Sequence, residues 1–235
     1  MLELFKNKKI MVIAAHPDDE VLGMGATMAR LINECDSRVR VVILGEGIAA
    51  RQEKDDQEAK LRAHKQNILK AQKVLGYHEL ETYSFPDNAF DSVPLLDIVK
   101  AVEKEKNQFK PDFIFTHHFG DLNIDHRKTF EAVITATRPL ESESVQGVLS
   151  FEVPSATEWQ GANISKDFLP NVFIQISDTH LRSKQKAMES YEFERRLYPH
   201  PRSPEALEVI AKRWGINTGV SYAEAFYLVR LRSRV

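Results

Sequence analysis

Cysteine is nearly absent from these 235 residues, with Cys35 the single example. One thiol excludes an intrachain disulfide and any zinc site built on several thiolates, and it points to a reducing compartment. Long apolar runs are missing as well. The stretch Ile10 to Ala15 follows a polar start and is too short for a signal-peptide core. Nothing approaches the roughly 20 apolar residues of a membrane-crossing helix. A cytoplasmic protein without a membrane span is therefore expected. Charge of one sign is lacking too. Thirty-two Lys and Arg stand against 34 Asp and Glu, a net charge of -2. Such a balance gives no bulk attraction to nucleic acid or to an acidic membrane.

Several motifs are also missing. No Gly-x-Ser-x-Gly elbow occurs, which weakens a serine-hydrolase reading. Gly23-Met24-Gly25 begins like a dinucleotide loop, but Met28 stands where its third glycine belongs. Asp121-Leu122-Asn123-Ile124-Asp125 begins like a calcium loop. Its sixth position is His126 instead of Gly and its twelfth is Ala132 instead of Glu.

What is present is an alternation of strand and helix patterns. Strands are expected at 9–15, 39–44, 80–85 and 113–116, and helices at 21–33, 52–75, 94–106 and 125–137. This order predicts parallel strands joined by crossover helices, an α/β three-layer Rossmann-like domain with a mainly parallel sheet. The second half is less regular. Strands are expected at 148–153, 172–176 and 226–229, and helices at 179–196 and 204–214. No linker, repeat or low-complexity segment interrupts the chain, so residues 1–235 read as one domain.

The chemistry gathers at two strand ends. Ala14-Ala15-His16-Pro17-Asp18-Asp19-Glu20 follows the first strand, and Thr116-His117-His118-Phe119-Gly120-Asp121 through His126 follows the fourth. Ligands of open α/β sheets bind beyond the carboxyl ends of the strands, so the two loops can converge. His16 and Asp19 are three apart and fall on one side of a turn. With His126 they make a two-histidine, one-carboxylate set that leaves a position for water, the pattern of a catalytic rather than structural zinc. Asp18 would then be free to take a proton. The residues also admit a plainer reading: Asp18-Asp19 as an N-cap and dipole partner, and His126 as a polar surface residue. Glu20 reads as an acid favouring the helix start.

At these residues the chain resembles the PIG-L/LmbE family of zinc-dependent N-deacetylases. Ala15-His16-Pro17-Asp18-Asp19-Glu20 is similar to the family's signature, and Asn123-Ile124-Asp125-His126-Arg127 to its His-x-Asp-His element. Gly45-Glu46-Gly47 with Arg51, Pro199 to Ser203, and Tyr222 to Phe226 resemble further family segments. The resemblance implies one zinc ion held by His16, Asp19 and His126, with Asp18 as general base and Asp125 supporting a neighbouring histidine. Asn123 stands where many members carry histidine. The amide can hydrogen-bond a substrate but cannot transfer a proton, which leaves His117 or His118, with His118 preferred, for the catalytic role.

The implied reaction is removal of an N-acetyl group from an amino-sugar conjugate, releasing acetate and a free amine. Arg51 reads as a donor to sugar hydroxyls or phosphate, and equally as a solvated helix-start arginine. The segment Glu194 to Arg202 reads either as a holder of sugar and anionic aglycone or as a solvated connection. Arg230, Arg232 and Arg234 alternate along the last strand and read as a solvent-facing row. Two alternatives stand beside the deacetylase: a metal-dependent amidase acting on a non-sugar substrate, and a non-catalytic metal- or sugar-binding module. Family members often assemble, which adds a homo-oligomer to what the resemblance implies.

Overall fold

The computed structural model describes residues 2–47, 57–162 and 165–233. Seven strands form one sheet in the order β3-β2-β1-β4-β5-β7-β6. They are β1 (Lys9–Ala14), β2 (Arg38–Gly45), β3 (Glu79–Phe85), β4 (Phe113–His117), β5 (Gly147–Phe151), β6 (Val172–Gln175) and β7 (Ala223–Leu231). The first five run parallel, and β7 is antiparallel to both β5 and β6. The expected α/β sandwich with a mainly parallel sheet is thus the observed architecture.

Strand β1 explains the layering. Ile10, Val12 and Ala14 enter one apolar core, and Met11 and Ile13 enter the other. A two-residue period with both faces apolar is what a central parallel strand requires. The first core is covered by α1 (Asp19–Cys35), α2 (Gln57–Leu75) and α5 (Asp178–Glu189), and the second by α3 (Leu95–Phe109) and α4 (Ile124–Ala136). Helix α6 (Pro204–Ile216) packs Trp214 beside β7. Strand order reverses between β1 and β4, where chain connections leave to opposite sides and open a crevice at the carboxyl ends.

Three departures from the sequence reading have physical causes. The helix expected over 179–196 stops at Glu189, because Tyr191 is buried and its hydroxyl donates to Glu20 at 2.5 Å. Helix α1 is continuous in the expected pattern but carries a break at Met24 (φ -152°, ψ 23°). Arg230 and Arg232, the described members of the arginine row on β7, are half-buried rather than turned fully to solvent. Arg230 donates to the carbonyl and hydroxyl of Thr137, and Arg232 to the carbonyls of Val145 and Glu143. These two clamp the chain between α4 and β5, while Arg234 lies outside the described residues.

Candidate active site

The crevice beyond β1 and β4 opens into a cavity of about 540 Å³ whose walls include His16, Asp18, Asp87, Asn88, Asn123, His126, Glu194 and Arg202. Asp19, buried between His16 and His126, is the hub. Its Oδ2 is 3.5 Å from His16 Nδ1 and 3.3 Å from His126 Nε2, and it accepts the His16 amide at 2.8 Å. One donor atom from each of His16, Asp19 and His126 falls within 4.8 Å of the others, and all three residues are buried.

Each imidazole is backed by its own carboxylate. His16 Nε2 donates to Asp125 Oδ2 at 2.8 Å, with Asp87 Oδ1 3.4 Å away. His126 Nδ1 faces Asp121 Oδ1 at 3.1 Å. Such outer partners fix the ring and its tautomer and direct the other nitrogen inward. The carboxylates are themselves held. Asp125 accepts the amides of Asn88 (2.7 Å) and Phe90 (2.8 Å), and Asp121 accepts the Thr157 hydroxyl (2.5 Å) and the Asn123 amide (2.9 Å).

Electrostatics follow from this geometry. Burial alone would lower the pKa of His16, but Asp125 and Asp19 outweigh it and hold it at about 9. Burial is likewise overcome at His126, where Asp19 and Asp121 hold the value at about 10. Burial would raise Asp19, yet the facing His126 keeps it well below the usual carboxylate range. Two cation-ready rings and a firmly ionised carboxylate sharing one space are a donor set that a divalent ion replaces protons to occupy. The residues therefore fit a divalent metal ion.

Asp18 sits beside the trio in left-handed backbone (φ 99°), an unusual conformation for a non-glycine residue. Its amide donates to Glu20 Oε2 at 3.1 Å, and its carbonyl accepts the amides of Val21 and Leu22. Its carboxylate stands 3.0 Å from Arg202 Nη1, and Arg202 also bonds Glu194 (2.6 Å) and Ser155 (2.8 Å). Burial pushes the Asp18 pKa well above its ordinary value, with Arg202 acting against that rise.

Other residues singled out from sequence lie elsewhere. His118 turns away from the trio: its Nε2 meets the Lys166 carbonyl at 2.7 Å and its ring packs on Phe119 and Phe168. His117 is closer, 3.5 Å from Asp19 Oδ2 and stacked on His126 at 4.0 Å. Its Nε2 accepts the Ala15 amide at 2.8 Å, and burial, aided by the His126 charge, drives its pKa to about 3. It is a neutral strut between β4 and β1. Asn123 lines the cavity but also caps α4, accepting the Asp125 amide at 2.8 Å and donating to Asn88 Oδ1 at 3.1 Å. Arg51 lies outside the described residues. Glu20 does more than favour a helix start. It is fully buried between Tyr191 and the Asp18 amide, and burial lifts its pKa to about 7.

Sequence reasoning missed Asp121 and Asp87. It singled out the segment Glu194 to Arg202 as a candidate substrate holder but did not foresee the contact of Arg202 with Asp18. Asp121 had a signal, since it shares the loop that delivers His126. The local pattern around Arg202 gave no signal that it pairs with Asp18.

Residues 11–137, more than half of the chain, match the family described as PIG-L: GlcNAc-PI de-N-acetylase, a span that contains both histidine loops. The chain belongs to the PIG-L family. A PIG-L relative from Escherichia coli (strain K12), named an uncharacterized deacetylase, YaiS, is 29% identical over 191 residues, covering 79% of this chain and 91% of its own. N,N'-diacetylchitobiose deacetylase from Pyrococcus horikoshii shares the fold with a TM-score of 0.71 at 20% identity, over 95% of this chain and 84% of that one. GalB, the 4-carboxy-2-hydroxymuconate hydratase from Pseudomonas putida KT2440, shares it equally well, with a TM-score of 0.71 at 21% identity over 97% and 98% of the two chains. Among the described residues, no helix of this PIG-L protein is long and apolar enough to cross a membrane.

Proposed function

We propose that the protein is a zinc-dependent hydrolase that removes the N-acetyl group from an amino-sugar conjugate. The observation that carries this reading is the pair of carboxylate-backed histidines meeting at Asp19, with Asp18 beside them in an open cavity. His16, Asp19 and His126 would hold the ion. When bound, zinc supplies Lewis-acid polarisation of an amide carbonyl and lowers the pKa of a water to about 7.

The chain's own groups do the remaining work. Asp18 takes the proton of the attacking water and returns it to the departing amine, so that one carboxyl serves as base and then acid. Burial raises the Asp18 pKa and Arg202 acts against that rise, a balance that suits a group which takes a proton and then returns it. Asp125 and Asp121 hold the two imidazoles in register. Asn88, Asn123 and Asp87 line the cavity with amide and carboxylate groups suited to sugar hydroxyls.

The test is acetate release by zinc-loaded protein across N-acetylglucosamine conjugates and N-acetylated amino acids. An additional arm measures hydration of an unsaturated tricarboxylic acid, because GalB has the same fold. Acetate from the sugar conjugates alone is the expected result. Turnover confined to the amino acids or to the hydration arm would overturn the substrate assignment.

A further inference from the structure

Helix α1 is broken one turn beyond the metal-ligand candidates. Met24 leaves helical backbone, which separates the turn Asp19–Gly23 from the rest of the helix. Such a break strands carbonyls before it and amides after it that would otherwise pair along the helix. One buried ion pair takes them up. Lys184 Nζ, from α5, donates to the Leu22 carbonyl at 2.7 Å and to Glu224 Oε1 at 2.6 Å. Glu224, from β7, accepts the Thr27 amide at 2.6 Å and the Ala26 amide at 3.4 Å. The two side chains are 7% and 6% exposed.

The surrounding residues are shaped to the break. A Cβ on Gly23 would lie 2.3 Å from the Phe151 ring, and one on Gly25 3.2 Å from Lys184 Cγ. Phe151 in turn packs edge-on against His117 at 5.1 Å. Gly23-Met24-Gly25 and Tyr222 to Phe226 thus become two sides of one device. Taking two opposite charges out of water is costly, so a buried pair is a poor choice for stability alone. What this pair fixes is the direction of one short turn relative to the strand ends.

We propose that Lys184 and Glu224 are positioning residues that aim the first turn of α1, so that Asp19 reaches both imidazoles and Asp18 stands beside them. Neither residue lines the cavity. The proposal rests on the metal-hydrolase reading above.

Its test is titration of the metal-free protein with Zn²⁺ and Co²⁺. Competition with a chromophoric chelator gives affinity, and the visible Co²⁺ bands report ligand geometry. Lys184→Met is expected to weaken both ions by at least roughly tenfold, as loss of outer support around metal ligands does. The Co²⁺ bands should also change, at a temperature where circular dichroism shows the fold intact. Glu224→Gln keeps an oxygen acceptor for the Thr27 amide and should give a smaller change of the same kind; it carries the test if Lys184→Met fails to fold. Met188→Ala, which removes buried core packing but none of these bonds, should lower Tm and leave affinity and spectrum alone. Wild-type affinity and an unchanged spectrum in the folded Lys184 and Glu224 variants would overturn the proposal. Absence of binding by the wild-type protein would instead remove the metal-hydrolase reading, and the proposal with it.

Discussion

The donor atoms and their supports come from different regions of the chain. His16, Asp19 and His126, with Asp121 and Asp125 behind the histidines, all belong to the parallel half of the sheet, at the ends of β1 and β4. Tyr191, Glu194, Arg202, Lys184 and Glu224 belong to the half where the sheet turns antiparallel, and they hold Glu20, Asp18 and the broken helix from outside. The first region sets which atoms are available. The second sets where one turn of helix stands and how strongly one carboxylate holds its proton. Sheet topology delivers the donors to a common edge almost automatically, whereas the supports reach it only through tertiary packing.

Substitutions can separate the two contributions. The largest effect is expected from Asp18→Asn, which should lower turnover by about 10²–10⁴-fold, the usual worth of a general base, while zinc content stays at the wild-type level. Near wild-type turnover in the metal-replete variant would remove Asp18 from that role. His126→Ala takes away a donor itself and should weaken zinc retention by more than about 100-fold, beyond what loss of an outer partner does. Dialysis against a chelator followed by metal analysis reads the result directly. Asp121→Asn leaves the donor but slackens its support, so a loss of roughly 10- to 100-fold in affinity is expected.

The C-terminal region has a different signature. The Arg202 guanidinium favours the ionised form of Asp18, against the burial that opposes it. Arg202→Met therefore raises the Asp18 pKa and moves the acid limb of the pH–kcat/KM profile to higher pH. Activity at pH 6 should fall more than activity at pH 8, with zinc affinity little changed. A limb that stays in place would mean that Arg202 does not tune the base.

The two regions also differ in how far they could be read from sequence. His16, Asp19 and His126 were legible because the loops that carry them or lead to them follow strand patterns, and parallel α/β topology sends those ends to one edge. Asp125 was legible only through family resemblance, and the histidine it serves is His16, on another strand. Asp121 was passed over because its loop reads as a failed calcium site, although a histidine ligand needs a partner for its second nitrogen. His118 was preferred over His117 on adjacency alone, which cannot tell which of two successive side chains faces the crevice. Lys184 sits among charged residues of a helix pattern, where solvent exposure is the ordinary expectation. The broken helix that gives this lysine a buried carbonyl partner passes close to Phe151 at Gly23, an approach that no local pattern encodes. Glu20 shows the same limit: an acid at a helix start usually faces water, and only Tyr191, far along the chain, makes it an interior residue.

The paired carboxylates behind His16 and His126 have one more consequence. With values of about 9 and 10, both rings carry a proton near pH 7 in the metal-free chain, and each is already oriented by its partner. Under the proposed metal reading, loading would therefore exchange about two protons for one dication within a pre-shaped socket, rather than assemble loose ligands around an ion. Metal and hydrogen ion would compete for the same nitrogens, so the fraction of loaded protein is expected to climb as the solution becomes more alkaline. A cell's acidity and its free-metal level would then act on this protein as one combined variable.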